Sequence, residues 1–406
     1  MSAGVVIIGG GQAGVEAASA LRALGYAEPV SLISDEPEPP YQRPPLSKEY
    51  LLGKIDAARL PLRAESFYTK HRIDLLLSQR VVDIGVAMKR VKLASGAVIP
   101  YDFAILATGA RNRILTGSGA GRVLYLRTKS DSDAVRQRLA EVESVAVIGG
   151  GFIGLEVAAA ARSLGKRVIV LEAAPRLMSR AASPLISDFF RDMHRAEGVE
   201  VLLGAAISEI ERDAVRLADG TSVPAQAIFA GIGVTPNVEQ ARDAELAVDG
   251  GISVDACLRT SDPNIFAIGD CAEFPNPFLD GGASARIRLE SVQNAVDQAR
   301  YVARCIANGG GSPEPFSEIP WFWTDQFDVR FQMAGLCARH DQIVVRGATE
   351  SRKFSAFYFR QGRLVSADSV NRFGDHIAVR KILRARASLT QEQAADESFD
   401  LKQLVG

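Results

Sequence analysis

Cysteine is scarce in this chain, with four in 406 residues: Cys257, Cys271, Cys305 and Cys337. They stand far apart and no C-x-x-C occurs. A dithiol of that kind and a cysteine-rich metal centre are therefore not expected. The four histidines, His71, His194, His340 and His376, are equally scattered, and no metal site is expected from them. Neither sign of charge is in excess. Lys and Arg number 47 against 48 Asp and Glu, for a net charge of −1. That balance gives no global attraction to nucleic acid or to an anionic membrane. No charge-free apolar stretch is long enough to span a bilayer. An apolar strand already begins at Val5, which leaves no room for a signal peptide, so the cytoplasm is the expected compartment. What remains is an ordinary globular composition, 47% hydrophobic and 23% charged, with length for two or three domains.

Against these absences stand two glycine fingerprints. Gly9-Gly10-Gly11-Gln12-Ala13-Gly14 follows Val5-Val6-Ile7-Ile8, and Gly149-Gly150-Gly151-Phe152-Ile153-Gly154 follows Val145-Ala146-Val147-Ile148. Each follows a short β-branched run and opens an Ala-rich helical stretch. Each has an acid about twenty residues on: Asp35 or Glu36 in the first, Glu172 in the second. One such motif is weak evidence; two in this context predict two dinucleotides on one polypeptide, and hence electron transfer between them.

The chain also contains itself twice. Val91 to Pro100 recurs as Val215 to Pro224, each reading as strand, glycine turn and strand. Each then runs into an apolar strand, Phe103 to Ala107 or Ala227 to Ala230. The fingerprints are 140 residues apart but these later segments only 124, so the first copy carries extra sequence in its middle. Pro37 to Lys48, with five prolines, is the natural candidate. It is expected to form a rigid loop near the working end of the first nucleotide. Further on, Ile265 to Asp270 reads as a buried strand ending in Gly-Asp. Glu290 to Ile306 reads as a helix, and Gly309 to Pro313 as a breaker. Residues 341–347 and 353–359 read as strands, with a hairpin turn at Arg360 to Arg363.

The residue types suit the chemistry. Gly9, Gly11 and Gly14 permit a tight turn and close helix packing, and the helix N-terminus offers unpaired N–H groups to a pyrophosphate. Gly149, Gly151 and Gly154 do the same in the second copy. A carboxylate at Glu172 accepts ribose hydroxyls and repels a 2′-phosphate, which favours NADH over NADPH despite Arg167, Arg176 and Arg180 nearby. Asp270 could present its carboxylate to a ribityl hydroxyl. The residues alone do not say which copy holds a flavin.

The ordered set Pro44-Pro45-Leu46-Ser47-Lys48, Leu106-Ala107-Thr108-Gly109, Tyr125-Leu126-Arg127-Thr128, Ile148 to Glu156, Thr235-Pro236-Asn237, Gly269-Asp270-Cys271-Ala272, Glu290 to Ala295 and Trp321 to Gln326 resembles one family over essentially the whole chain. It is that of the FAD-dependent NADH–ferredoxin reductases of oxygenase systems (the putidaredoxin, palustrisredoxin and rubredoxin reductase type), within the two-dinucleotide, glutathione reductase-type flavoproteins. The resemblance implies an α/β fold with two Rossmann-like dinucleotide-binding domains, one inserted in the other, plus a C-terminal α+β domain. The expected boundaries are 1–112 with 242–317 for FAD, 113–241 for NADH, and 318–406.

The resemblance further implies non-covalent FAD against Gly9, Gly11, Ala13 and Gly14, with Asp35 on its adenosine ribose. Arg43 and Lys48 would lie near the flavin, Lys48 beside the reactive N5 edge. Val81 and Arg127 would flank the adenine and pyrophosphate, and Asp270 and Val292 the ribityl and isoalloxazine portions. NADH would use Gly149, Gly151, Gly154, Glu156 and Glu172, with Trp321 and Trp323 walling the nicotinamide. Lys48 and Glu156 are expected to pair as the catalytic residues. Hydride would pass from NADH to FAD, and single electrons onward to a [2Fe–2S] ferredoxin feeding a cytochrome monooxygenase or other oxygenase. That partner would dock on basic residues: Arg286, Arg288, Arg372 or the Arg380-Lys381-Arg384-Arg386 cluster. A monomer or weak dimer is expected. The disulfide reductases of this superfamily carry paired cysteines after the flavin fingerprint; with no cysteine before Cys257, that route is excluded here.

Two rival readings remain. A reductase of rubredoxin, a quinone or monodehydroascorbate would share the same engine. A flavin-dependent binding or signalling protein that holds nucleic acid would need a basic surface, which a pI near 6.5 does not favour.

Overall fold

The computed structural model describes residues 2–279, 285–311, 314–337 and 340–405. By packing, the chain falls into two units. One comprises Met1–Gln42, Leu60–Arg111 and Pro236–Phe322; the other comprises Arg43–Arg59, Asn112–Thr235 and Trp323–Gly406. Residues 43–59, which the sequence boundaries assign to the first domain, pack with the second unit.

The first unit is built on a five-stranded parallel sheet. Its spatial order is Ile265–Ala267, Phe103–Leu106, Val5–Ile8, Val30–Ile33, Ile73–Leu76. Numbered along the chain, that is the 3-2-1-4-5 order of a dinucleotide-binding sheet. Its central strands Val5–Ile8 and Phe103–Leu106 are wholly apolar, as strands buried within a parallel sheet are. Two helices, Gln12–Ala23 and Val292–Ala307, pack together. Their alanines allow the close approach. The second begins at Val292, two residues later than the sequence suggests, because Ser291 caps it by accepting from the Asn294 N–H at 3.1 Å. Gly309 and Gly310, with φ of +69° and +88°, close it; Ser312 and Pro313 of the expected breaker lie outside the described residues.

The second unit repeats the pattern. Its parallel sheet runs Val199–Leu203, Arg167–Glu172, Ser144–Ile148, Ala227–Ala230, again 3-2-1-4. The repeated segments also fold alike. Arg90–Leu93 with Val98–Pro100, and Ala214–Leu217 with Ser222–Pro224, are matching antiparallel hairpins, each extended by a third strand. After these comes a five-stranded sheet ordered Trp321–Gln326, Val329–Gly335, Arg363–Val370, Lys353–Arg360, Gln342–Ala348, backed by the helix Phe373–Ala385. Its expected hairpin forms at Gln361 and Gly362, both at positive φ (48° and 73°), as a type I′ turn requires. The molecule is thus α/β, with two dinucleotide-type parallel sheets and a C-terminal α+β domain. Among the described residues no helix is long and apolar enough to cross a membrane.

Candidate active site

In the first unit the strand Val5–Ile8 delivers the chain into the Gly9–Gly14 turn. Gly9 has φ of +121°, and a Cβ there would overlap the Ala107 carbonyl; one on Gly14 would overlap the carbonyl of Gly9. Gly11 differs: a Cβ there would meet nothing within 4 Å. The protein's own packing therefore leaves space above Gly11, where a pyrophosphate must approach the backbone. No side chain caps the helix that follows, unlike the helices at Lys129, Pro184 and Val292, which Thr128, Ser183 and Ser291 cap. Its first N–H groups remain for a ligand. Gly269, at φ +75°, would place a Cβ only 3.2 Å from that of Ala13, and its N–H donates to Gln298 Oε1 at 2.7 Å. The fold thus brings Ala13 and the Gly269-Asp270 turn against the same helix start. Val292, half-buried, is the first residue of its helix.

In the first unit the position equivalent to Glu172 holds no carboxylate. Strand register pairs Ile8 with Ile33 and Ile148 with Leu171, so the residue equivalent to Glu172 is Ser34. A Cβ on Gly10 would meet Ser34, just as one on Gly150 would meet Glu172. Asp35 lies one residue beyond and is exposed; Glu36 accepts from the Tyr41 hydroxyl.

The second cradle, in the second unit, has the same construction. Gly149 has φ of +99°, and a Cβ there would lie 2.6 Å from the Gly231 carbonyl oxygen. A Cβ on Gly154 would overlap the carbonyl of Gly149, while one on Gly151 would meet only Gly231 O, at 3.8 Å. Glu172 is fixed by backbone donors: Gly150 N–H to Oε2 at 2.6 Å and Ala174 N–H to Oε1 at 2.7 Å. Each oxygen keeps a lone pair for a ribose hydroxyl. Arg176 is spent on the protein, donating to the carbonyls of Ser179 and Ala182 at 2.7 and 2.6 Å and to Ser187 Oγ at 2.9 Å. Both cradles fit a dinucleotide pyrophosphate, and the second also fits an unphosphorylated ribose. A Glu172→Ala variant is expected to lower the kcat/KM ratio of NADH to NADPH at least tenfold; an unchanged ratio would remove Glu172 from the discrimination.

Between Gln42 and Leu60 the proline loop enters the second unit and is held rigidly there. Pro44–Ser47 forms a 3-10 turn, with φ fixed by two prolines. Ser132 Oγ donates to the Leu46 carbonyl at 2.8 Å and the Tyr50 hydroxyl to Asp133 at 2.6 Å. The turn aims Lys48 at the helix Phe152–Ser163, where its Nζ lies 2.7 Å from Glu156 Oε2. The two side chains are 13% and 2% exposed. Ser47 Oγ also donates to Oε2, and Thr324 Oγ1 donates to Oε1 at 2.5 Å. The expected Lys48–Glu156 pair therefore forms, and it is more heavily supported than sequence suggests. Ser47 and Thr324 carry no mechanistic signal of their own. Only the alternation of the strand Trp321–Gln326, which puts Thr324 and Gln326 on one face, hints that these polar side chains turn inward.

The remaining candidates divide. Arg43 donates to the Arg127 carbonyl at 2.7 Å, so these two are neighbours. The side chain of Val81 is buried in the hydrophobic core of the first unit. Trp321 and Trp323 are each half-buried. Among the basic candidates, Arg286 donates to the carbonyls of Val254 and Glu273 at 2.6 Å, and Arg288 pairs with Glu290 at 2.7 Å. Arg372 pairs with Asp375 at 2.6 Å and Glu397 at 2.5 Å. Lys381, Arg384 and Arg386 are exposed; Arg380 is half-buried.

Comparison with known proteins agrees with this geometry. Residues 3–299 match the pyridine nucleotide-disulphide oxidoreductase family, and residues 321–405 the reductase C-terminal family. Rhodocoxin reductase of Rhodococcus erythropolis is 47% identical over 405 residues, covering 98% of this chain and 93% of the relative. The crystal structure of the ferredoxin reductase for the CYP199A2 system from Rhodopseudomonas palustris superposes with a TM-score of 0.94 at 45% identity, over 99% of each chain. The reductase of the covalent putidaredoxin reductase–putidaredoxin complex gives a TM-score of 0.93 at 38% identity, over 99% of this chain and 98% of that one. FAD and a pyridine nucleotide are the cofactors of such an enzyme. The chain therefore belongs to the pyridine nucleotide-disulphide oxidoreductase family, as a flavoprotein reductase carrying the reductase C-terminal domain.

Proposed function

We propose that the protein takes hydride from NADH onto FAD and hands single electrons to a [2Fe–2S] ferredoxin that feeds an oxygenase. The observation that carries this reading is the buried pair of Lys48 with Glu156, a residue of the helix whose N-terminus closes the second cradle. Such a pair would hold a fixed positive charge beside the reacting end of the nucleotide.

Gly9, Gly11, Ala13 and Gly14, with Asp270 and Val292, would hold FAD. Asp35 would take its ribose, since Glu36 is already engaged by Tyr41. Gly149, Gly151, Gly154 and Glu172 would hold NADH. Bound FAD supplies the chemistry of accepting a hydride and releasing electrons one at a time. The chain supplies orientation and charge. Glu156, gripped by Ser47 and Thr324, holds the Lys48 ammonium in one place. Lys48 then stabilises negative charge as it develops beside it, at no cost in reorganisation. Trp321 and Trp323 would wall the nicotinamide, and Arg43 and Arg127 would line the remainder of the flavin site.

The acceptor is tested with a panel under NADH: ferredoxin, rubredoxin, a quinone and monodehydroascorbate. Preferential reduction of a [2Fe–2S] ferredoxin supports the reading, and preference for another acceptor overturns it. Docking would use the C-terminal cluster, where Lys381, Arg384 and Arg386 are exposed. Ferredoxin reduction is then expected to slow about tenfold between low and high salt, and Arg384→Glu to blunt that dependence. A rate insensitive to ionic strength would rule this docking face out.

A further inference from the structure

Behind Glu156 a line of polar side chains crosses the apolar core of the second unit. Thr324 Oγ1 lies 2.5 Å from Glu156 Oε1, Gln326 Nε2 3.2 Å from Thr324 Oγ1, and His194 Nε2 2.8 Å from Gln326 Oε1. All four residues are buried, His194 completely. They come from two helices and a strand far apart in sequence. Buried polar groups cost stability unless satisfied, and apolar residues at 194 and 326 would fill the core more cheaply.

The direction of every hydrogen bond follows from one end. A carboxylate only accepts, so the Thr324 hydroxyl donates to Glu156. The Thr324 oxygen must then accept from the Gln326 amide N–H. That turns the Gln326 carbonyl oxygen toward His194, whose Nε2 must carry the proton. His194 Nδ1 is left bare and has no hydrogen-bond partner among the described residues. Burial favours this neutral ring by lowering its pKa, against smaller upward effects of Gln326 and of Glu197 on the same helix. The ring of Phe327 closes the site at 5.2 Å. Facing Glu156 are Lys48 and Ser47 from the proline turn and Thr324 from the strand.

We propose that His194 and Gln326 are positioning residues for the Lys48–Glu156 pair. Through Thr324 they fix the carboxylate in the orientation that anchors Lys48, and the charge on Glu156 in turn selects the His194 tautomer. The inference rests on the reading of Lys48 and Glu156 given above.

The test has two arms on the FAD-loaded enzyme. Nitrogen-15 NMR of labelled histidine, with His194 assigned by His194→Gln, reads the tautomer directly. The expected result near neutral pH is a single neutral form protonated at Nε2. In Thr324→Val, where nothing orients Gln326, the Nδ1-protonated form is expected to appear. A charged or Nδ1-protonated His194 in the wild type overturns the relay, as does a tautomer untouched by Thr324→Val. In stopped flow, Thr324→Val and Gln326→Leu are expected to lower the limiting rate of flavin reduction about tenfold, with the NADH concentration dependence unchanged. Thr324→Ser is expected to restore it. Unaffected rates overturn the positioning role. Since the NMR arm involves no turnover, a failure of the Lys48 reading is distinguishable from a failure of the relay.

Discussion

A Lys48→Ala variant reduces its flavin with NADH about a hundredfold more slowly than the wild-type protein, the scale of losing one preorganised charge at a reacting centre. Two effects combine. The ammonium that stabilises developing negative charge is gone. Its partner Glu156, with a side chain 2% exposed, is left without its counter-charge. Removing one member of a buried pair costs about 3–5 kcal/mol when both are fully desolvated. Here the cost falls to roughly 1–3 kcal/mol, because Lys48 retains some solvent contact and Ser47 and Thr324 still donate to the carboxylate. The fold therefore survives, and rapid mixing of the variant with NADH under anaerobic conditions isolates the kinetic effect. Lys48→Arg keeps the charge but not the compact geometry, and is expected to fall between the two. A wild-type rate in Lys48→Ala would sink the role assigned to the lysine.

The second large effect concerns stability. Asp368 is buried among Tyr358, Ser183 and Cys337, and burial pushes its carboxyl up to about 7 from 3.8. The Tyr358 hydroxyl, donating at 2.7 Å, offsets this only in part. In the folded protein the group keeps its proton between about pH 4 and 7, while the unfolded chain has already released it. The folded state then binds more protons than the unfolded state, so this group's contribution falls as pH rises through that window and is flat beyond it. A gap from 3.8 to about 7 corresponds to roughly 4 kcal/mol. Asp368→Asn keeps an acceptor for Tyr358 and removes the titration. Relative to wild type it is expected to gain roughly 4 kcal/mol between pH 4 and 8, read by denaturant unfolding at each pH. The comparison must be a difference, because two buried histidines pull the other way. Burial, with Arg380 adding to it, lowers His376 to about 4, and burial also lowers His194, so both favour the fold as pH rises toward their unfolded value. A difference curve flat across that window would contradict the assignment to Asp368.

Much of this was legible in the residues, for reasons that separate cleanly. The two parallel sheets were readable because β-branched runs before glycine turns leave few alternatives, and because the second copy repeats the first. The hairpin at Gln361-Gly362 was readable because glycine tolerates the positive φ it needs. Asp35 and Glu36 could not be told apart by a rule of about twenty residues; strand register adds that the position equivalent to Glu172 is Ser34, just before Asp35. The proline loop could be seen to be rigid, but its packing with the second unit depends on contacts from Ser132 and Asp133, nearly ninety positions on. Glu156 is singled out by the family resemblance. Thr324, Gln326 and His194 are not, because a buried polar residue in an apolar strand or helix looks in sequence like any solvent-facing one. Of the basic residues proposed for docking, Arg286 and Arg288 proved to be bonded to their own backbone and neighbours, which charge patterning alone does not report.

The most direct test of the account is the visible absorbance spectrum of the purified protein, followed by anaerobic titration with NADH and, separately, NADPH. A flavin spectrum that bleaches with NADH, and far less readily with NADPH, is the predicted result. A colourless protein that cannot be reconstituted with FAD, or a flavin that NADH leaves oxidised, would contradict it.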